Sequence, residues 1–194
     1  MTSLAVTDGL LCLVALWLAA HRANAVGVRL ACGLLAVPAL LGFLRFSGLY
    51  PVPQWHLLFT ILGASAALPL LAVSIRWPMS LVARQRHFAL LFLGVAVLLG
   101  LLIAGLGKLR IYDQAAGLLS LFAMLWVFVR NGRRLALAGV LLMLAGSVLF
   151  VVKVSLPPWM LPGDWLHLGM AAGLLLIVPR EQEAFQAMDL QPQS

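Results

Sequence analysis

Residues 88–106 read FALLFLGVAVLLGLLIAGL, nineteen consecutive residues without a charged side chain. A helix needs about 20 mainly apolar residues to cross the hydrocarbon core of a bilayer. The stretch therefore predicts a transmembrane helix, and it decides the fold because the rest of the chain repeats its pattern. Apolar runs separated by short polar segments predict seven such helices. The runs are Leu4–Ala20, Val26–Leu44, Trp55–Ile75, Phe88–Leu106, Ala115–Val129, Leu135–Val152 and Trp165–Val178.

The composition supports an all-α integral membrane protein. The 194 residues are 63% hydrophobic and 10% charged, with a mean hydropathy of +1.06. Soluble domains carry about 25% charged residues, so most of this surface is expected to face lipid. We expect a single transmembrane domain at residues 1–179 and a polar cytoplasmic tail at 180–194. Cys12 and Cys32 fall inside apolar runs, where cysteine behaves as a small hydrophobic residue.

The basic residues predict the orientation of the chain. The chain has a net charge of +7, and its basic residues lie in short clusters between apolar runs, which excludes a nucleic-acid-binding surface and is typical of membrane topology. With seven spans and an external N-terminus, nine of the thirteen lie inside and four outside. A six-helix count is the alternative if the first or fifth run does not cross. The inner set is Arg22, Arg29, Arg76, Arg84, Arg86, Arg130, Arg133, Arg134 and Arg180, and the outer set is Arg45, Lys108, Arg110 and Lys153.

The start of the last apolar run carries the strongest candidate site. Asp164 and His167 are three residues apart, which places them on one face of a helix. Ionisable side chains inside a membrane are costly and usually functional. An imidazole beside a carboxylate suits a metal ligand, a general base or a structural hydrogen bond between helices. The sequence alone does not distinguish between these three roles of His167.

Three further polar residues fall at the same outer side of the predicted bundle. They are Asp8, Asp113 and His56, at the starts of the first, fifth and third runs. Asp8 and Asp113 also suit helix N-caps, which is the simpler interpretation of each taken alone. Two histidines and an acid are ligands that zinc accepts. We expect His167, His56 and Asp164 as metal ligands and Asp8 or Asp113 as the catalytic base.

Two short motifs resemble a poorly characterised bacterial membrane family that is thought to be distantly related to the CREST superfamily. The motifs are Thr7-Asp8-Gly9-Leu10-Leu11 and Asp164-Trp165-Leu166-His167-Leu168. CREST members include alkaline ceramidases and adiponectin-receptor-like proteins, and their polar residues hold zinc. In this resemblance His167 matches the first histidine of the last-helix His-x-x-x-His pair, and Ala171 stands at the second.

The resemblance implies a bacterial inner-membrane hydrolase of lipid amides or esters. Zinc would activate a bound water in a pocket open to the outer side. The alternative is a protein without catalytic activity, which binds a lipid or small ligand or forms part of a membrane complex. Membrane lipids, a membrane-protein partner and a second copy of the chain are the expected partners.

Overall fold

The computed structural model describes residues 2–105, 109–155, 157 and 159–189, and in this part of the chain it contains helices and no strand. One π-helical segment, Gly63–Ala67, interrupts the α-helices. The α-helices are α1 Ser3–Ala20, α2 Val26–Phe46, α3 Pro53–Leu62, α4 Leu68–Arg76, α5 Leu81–Arg84, α6 Arg86–Gly105, α7 Leu109–Arg130, α8 Arg134–Val151 and α9 Pro162–Asp189.

Six helical segments of the described chain are long and apolar enough to cross a bilayer. They correspond to the first six runs predicted from the sequence, with α3, the π segment and α4 forming one continuous span at Pro53–Arg76. The seventh run begins α9, whose apolar part, Pro162–Val178, is shorter. The helix itself continues to Asp189, past the predicted domain boundary at residue 179. The chain is thus an all-helical protein with the helices of a membrane protein.

The helix starts correct two expectations. The N-cap of α1 is Thr2, whose side chain accepts a hydrogen bond from the Ala5 N–H. Asp8 therefore lies more than a turn inside α1 and does not cap it. Asp113 follows Leu109 and three further helical residues, so it does not begin α7 either. The predicted capping role was wrong for both residues, because each helix begins earlier than its carboxylate.

The π-helical segment lies where the third apolar run contains proline. The N–H of Leu68 bonds to the carbonyl of Gly63, five residues earlier, instead of the usual four. Pro69 has no N–H to offer the carbonyl of Ser65, so the α-helical ladder is broken at this position in any case. Single wide turns of this kind often occur at functional sites. Here the wide turn lies in the middle of the bundle.

The packing partners of α9 differ along its length. Towards its middle it approaches α8 closely through glycines: a Cβ added at Gly169 would lie 2.6 Å from the carbonyl oxygen of Leu142. At its start α9 contacts α1 as well as α8. Small residues allow this close approach between membrane helices. The outward side of α6 is apolar and exposed, for example at Leu98 and Leu101, as lipid contact requires.

Candidate functional site

Asp164 joins the start of α9 to α1 through two short hydrogen bonds. Its Oδ1 accepts from the Thr7 hydroxyl at 2.7 Å, and its Oδ2 accepts from the Leu161 N–H at 2.7 Å. The second bond is the backward bond of a capping box, because Asp164 is the third residue of the helix and Leu161 precedes it. The side chain is fully buried. Both carboxylate oxygens therefore already have a partner.

His167 lies one turn further along α9 and faces the same part of α1. Its Nδ1 is 3.4 Å from Asp8 Oδ1 and 3.5 Å from Thr7 Oγ1. An ionised carboxylate only accepts hydrogen bonds, and the Thr7 proton is directed to Asp164 at 2.7 Å. The proton of a neutral ring is therefore expected on Nδ1, which leaves the lone pair on Nε2. The sequence spacing correctly predicted that Asp164 and His167 share a face.

Asp8 is the least satisfied group of this polar cluster, which we define as Thr7, Asp8, Asp164 and His167. Asp8 is 1% exposed, and its Oδ2 has no hydrogen-bond partner among the described residues. The carboxylate lies against Gly42 of α2, where an added Cβ would overlap it. A buried carboxylate oxygen without a partner is costly. Such a group is expected where a ligand or water completes the bonding.

A cavity of about 480 Å³ adjoins the polar cluster. Most of its wall is apolar, with residues such as Leu35, Pro38, Leu121 and Met170 from three helices. Residues 63 and 64 of the π segment also line it. The polar residues of the wall are Asp8, His56, Thr60, Asp113, Gln114, Ser147 and His167. The structure thus brings together four of the five predicted site residues, Asp164 being behind the wall.

His56 of α3 lines the cavity and contacts Arg45 and Phe46 of α2. Its Nδ1 is 3.3 Å from Arg45 Nη1, and its ring meets the Phe46 ring edge-on at a centroid distance of 5.6 Å. A guanidinium only donates hydrogen bonds, so His56 Nδ1 is the acceptor of this contact. The proton of a neutral His56 ring is therefore on Nε2. The two cavity histidines are held in opposite tautomers.

Asp113 contributes to the wall from α7. It is half-buried, and its Oδ1 accepts from the Gln114 N–H at 2.9 Å. The outer residues Lys108 and Arg110, predicted near the same surface, lie outside the residues whose side chains the structure describes. Asp113 therefore shares the cavity with Asp8 and the two histidines, as the predicted orientation of the odd-numbered runs implies.

The expected zinc ligands are not assembled as a metal site. Among the described residues no group of three or more histidine, cysteine or acidic side chains is placed to hold a metal ion. Asp164 uses both oxygens on Thr7 and Leu161. His56 Nδ1 faces a cation, Arg45, at 3.3 Å. The donor set His167, His56 and Asp164 does not fit a shared ion in this arrangement.

Sequence reasoning missed three contributors to the site. The Thr7 hydroxyl contacts both Asp164 and His167, and Thr7 was passed over although it stands next to Asp8 in a quoted motif. Thr60 and Ser147 were not singled out, because hydroxyl residues are common in membrane helices. A signal for the π segment was present in the small residues at 63–67 followed by Pro69. Thr60, Ser147 and the π segment line one cavity only because helices distant in sequence pack together.

Comparison with known proteins gives a family and no function. The model of a family of unknown function, DUF6962, matches residues 3–179. The match covers every apolar run and the whole polar cluster. No curated protein and no solved structure matches the chain.

Proposed function

The chain belongs to the DUF6962 family, and we propose that it binds an amphiphilic, lipid-class molecule in the cavity between its helices. The observation that carries the proposal is a cavity of about 480 Å³ with an apolar wall and a few convergent polar side chains. Ligand pockets are typically about 300–1,000 Å³ and have this division between apolar lining and oriented polar groups. An alkyl chain fits the lining around Leu35 and Leu121, and a polar head fits the side of Asp8 and His167.

The proposal includes an orientation in the membrane. Seven crossings with the N-terminus outside place the polar cluster and the cavity towards the outer leaflet, because Asp8 and Asp164 lie near the starts of α1 and α9. The excess of arginine and lysine on the opposite side supports this orientation. The bacterial inner membrane is the location we propose with it. The proximity of α9 to both α1 and α8 supports counting it as the seventh crossing.

Cysteine labelling tests the orientation. Leu49 lies between α2 and α3 and is 67% exposed, and Met79 lies between α4 and α5 and is 59% exposed. In a background without Cys12 and Cys32, a membrane-impermeant maleimide should label Leu49→Cys in intact cells. It should label Met79→Cys only after lysis. Labelling in the reverse order would contradict the proposed orientation.

A matched pair of cavity variants tests the binding function. Ala64 lines the cavity, whereas Ala115 is exposed on α7 and does not line it. Four dodecyl probes with the protein in nanodiscs serve as ligands: 1-lauroylglycerol, dodecylamine, laurate and methyl laurate. At least one should bind saturably to the wild-type protein and to Ala115→Phe, and should bind at least about tenfold more weakly to Ala64→Phe. The proposed function would be rejected if no probe saturates above protein-free nanodiscs.

Hydrolysis of a lipid amide or ester is the second candidate, favoured by the contact between Asp8 Oδ1 and His167 Nδ1 at 3.4 Å. Asp8 would hold the imidazole tautomer, and Nε2 would take a proton from a water that attacks the acyl carbon. The acyl C–O or C–N bond would then break, and the proton would pass to the leaving oxygen or nitrogen. In this candidate His167 is the base, and Asp8 positions it.

Product analysis tests whether the protein hydrolyses lipids, and metal analysis tests whether hydrolysis requires zinc. The purified protein should release laurate from 1-lauroylglycerol or N-lauroylethanolamine, and His167→Ala should release at least about a hundredfold less. Equal release by both proteins would eliminate hydrolysis at this site. The zinc-assisted form suggested by the CREST resemblance also requires about one zinc per chain, lost in His167→Ala. Metal-free protein that still releases laurate would eliminate that form alone.

A further inference from the structure

The polar wall of the cavity consists mainly of hydrogen-bond acceptors. We propose that the cavity selects an amphiphile whose head group donates hydrogen bonds, through hydroxyl or amino groups, over anionic or acceptor-only heads. The inference rests on the proposed binding function and specifies the chemistry of its ligand. The inference follows from the hydrogen bonds that the polar side chains of the wall already donate within the protein.

Two hydroxyl groups of the wall donate their hydrogen bonds to backbone carbonyls of their own helices. The Thr60 hydroxyl donates to the carbonyl of His56 at 2.8 Å, and the Ser147 hydroxyl donates to the carbonyl of Met143 at 2.8 Å. A hydroxyl has one proton and two lone pairs, so each oxygen has only acceptor capacity left. Since both residues line the cavity, a ligand in contact with them meets lone pairs.

The polar cluster adds one more acceptor to the same wall, His167 Nε2, with the Asp8 carboxyl group packed beside it against Gly42. With its proton on Nδ1 towards Asp8 and Thr7, His167 has a lone pair on Nε2. Asp8 Oδ2 is a buried acceptor without a partner among the described residues. Both residues belong to the cavity wall, and they come from helices different from those of Thr60 and Ser147. Acceptors on α3, α8 and α9 thus line one space.

The donors of the wall are fewer. His56 offers its Nε2 proton, because its Nδ1 accepts from Arg45. Gln114 offers an amide with both kinds of group and is exposed. A carboxylate or phosphate head inside this cavity would therefore face mainly lone pairs, with little to bond to. A buried polar group left unpaired costs enough to decide which ligand binds. A hydroxyl or amino head instead donates hydrogen bonds to the lone pairs of Thr60, Ser147 and His167.

The four dodecyl probes test the inference because they share a chain and differ in the head. Saturable binding of 1-lauroylglycerol and dodecylamine to the wild-type protein in nanodiscs should be at least about tenfold tighter than that of laurate and methyl laurate. Preference for 1-lauroylglycerol over dodecylamine would identify a hydroxyl head, and the reverse preference an amino head. Either order supports the inference. Equal or tighter binding of laurate or methyl laurate would overturn it and leave the binding function standing. Failure of all four to saturate would reject the binding function itself.

A serine pair supplies the matched variants. Ser147→Ala removes one wall acceptor and should weaken 1-lauroylglycerol binding about threefold to tenfold, while methyl laurate binding stays unchanged. Ser120 makes the same kind of bond, to the carbonyl of Ala116 at 2.7 Å, but does not line the cavity. Ser120→Ala should leave the binding of all four probes unchanged. An equal effect of both substitutions would contradict a head-group contact at Ser147.

Discussion

The first turn of α9 and the second turn of α1 each contain a buried aspartate, and the two are bonded differently. Asp164 is fully buried with both oxygens in 2.7 Å hydrogen bonds. Asp8 is 1% exposed, contacts His167 at 3.4 Å and has one oxygen without a partner among the described residues. The first arrangement is complete and connects two helices. The second is incomplete and lies beside the cavity, so we interpret Asp164 as a structural residue and Asp8 as part of the proposed ligand site.

Replacement of Asp164 by alanine should produce the largest loss of stability. The substitution removes the shared acceptor of the Thr7 hydroxyl and the Leu161 N–H, and hydrogen bonds to a carboxylate contribute about 1.5–3 kcal/mol each. We expect the free energy of unfolding to fall by about 3 kcal/mol. Reversible unfolding in mixed micelles measures it. A loss below about 0.5 kcal/mol would show that the α1–α9 connection does not depend on this carboxylate.

A glycine pair on α2 tests how tightly Asp8 is held. Gly42→Ala places a methyl group where the Asp8 carboxylate lies, so we expect a loss of about 1–3 kcal/mol. Gly33→Ala is the control, because its added Cβ would come no closer than 3.9 Å to Ala19. The control should be neutral or stabilise by up to about 1 kcal/mol, since alanine favours helix. Equal effects of the two substitutions would mean that the Asp8 pocket has room to relax.

Asparagine substitutions should separate the two aspartates, with the smallest change in stability at Asp8. Asp8→Asn keeps the shape of a group that lacks a full set of partners, so the stability change should stay below about 1 kcal/mol. An amide holds the His167 proton on Nδ1 less firmly than a carboxylate does, so 1-lauroylglycerol, which bonds to Nε2, should bind at least about threefold more weakly. Asp164→Asn should do the reverse, with a stability loss of about 1–2 kcal/mol and unchanged binding. If both variants lost stability and binding to the same extent, Asp8 and Asp164 would not have the different roles proposed for them.

Much of the fold could be predicted from the sequence, because hydropathy over 20 residues is a strong local signal. The first six runs correspond to long apolar helical segments, and the turn between α7 and α8 contains Gly132 with a positive φ of 66°, a conformation that glycine favours. Helix starts were predicted less well. Thr2 takes the N-cap of α1, so Asp8 was wrongly interpreted as a cap.

The site was predictable only in part. Helical spacing predicted that Asp164 and His167 lie on one face of their helix. The predicted orientation of the odd-numbered runs placed Asp8, Asp113 and His56 at the same side of the bundle. The bonding of each group depends on partners distant in sequence, since Thr7 and Asp164 are 157 residues apart. The acceptor character of Thr60 and Ser147 likewise depends on the direction of a hydroxyl proton. These details come from packing between helices.

Photolabelling tests the central claim, that the cavity beside Asp8 and His167 holds the ligand. A 1-lauroylglycerol with a diazirine in its alkyl chain is photolysed with the protein in nanodiscs, and the labelled residues are identified by mass spectrometry. The account predicts labels on cavity residues such as Leu121 and Met170, suppressed by excess unlabelled 1-lauroylglycerol. Labels confined to outward residues such as Leu98 and Leu101 of α6, and insensitive to that competitor, would contradict it.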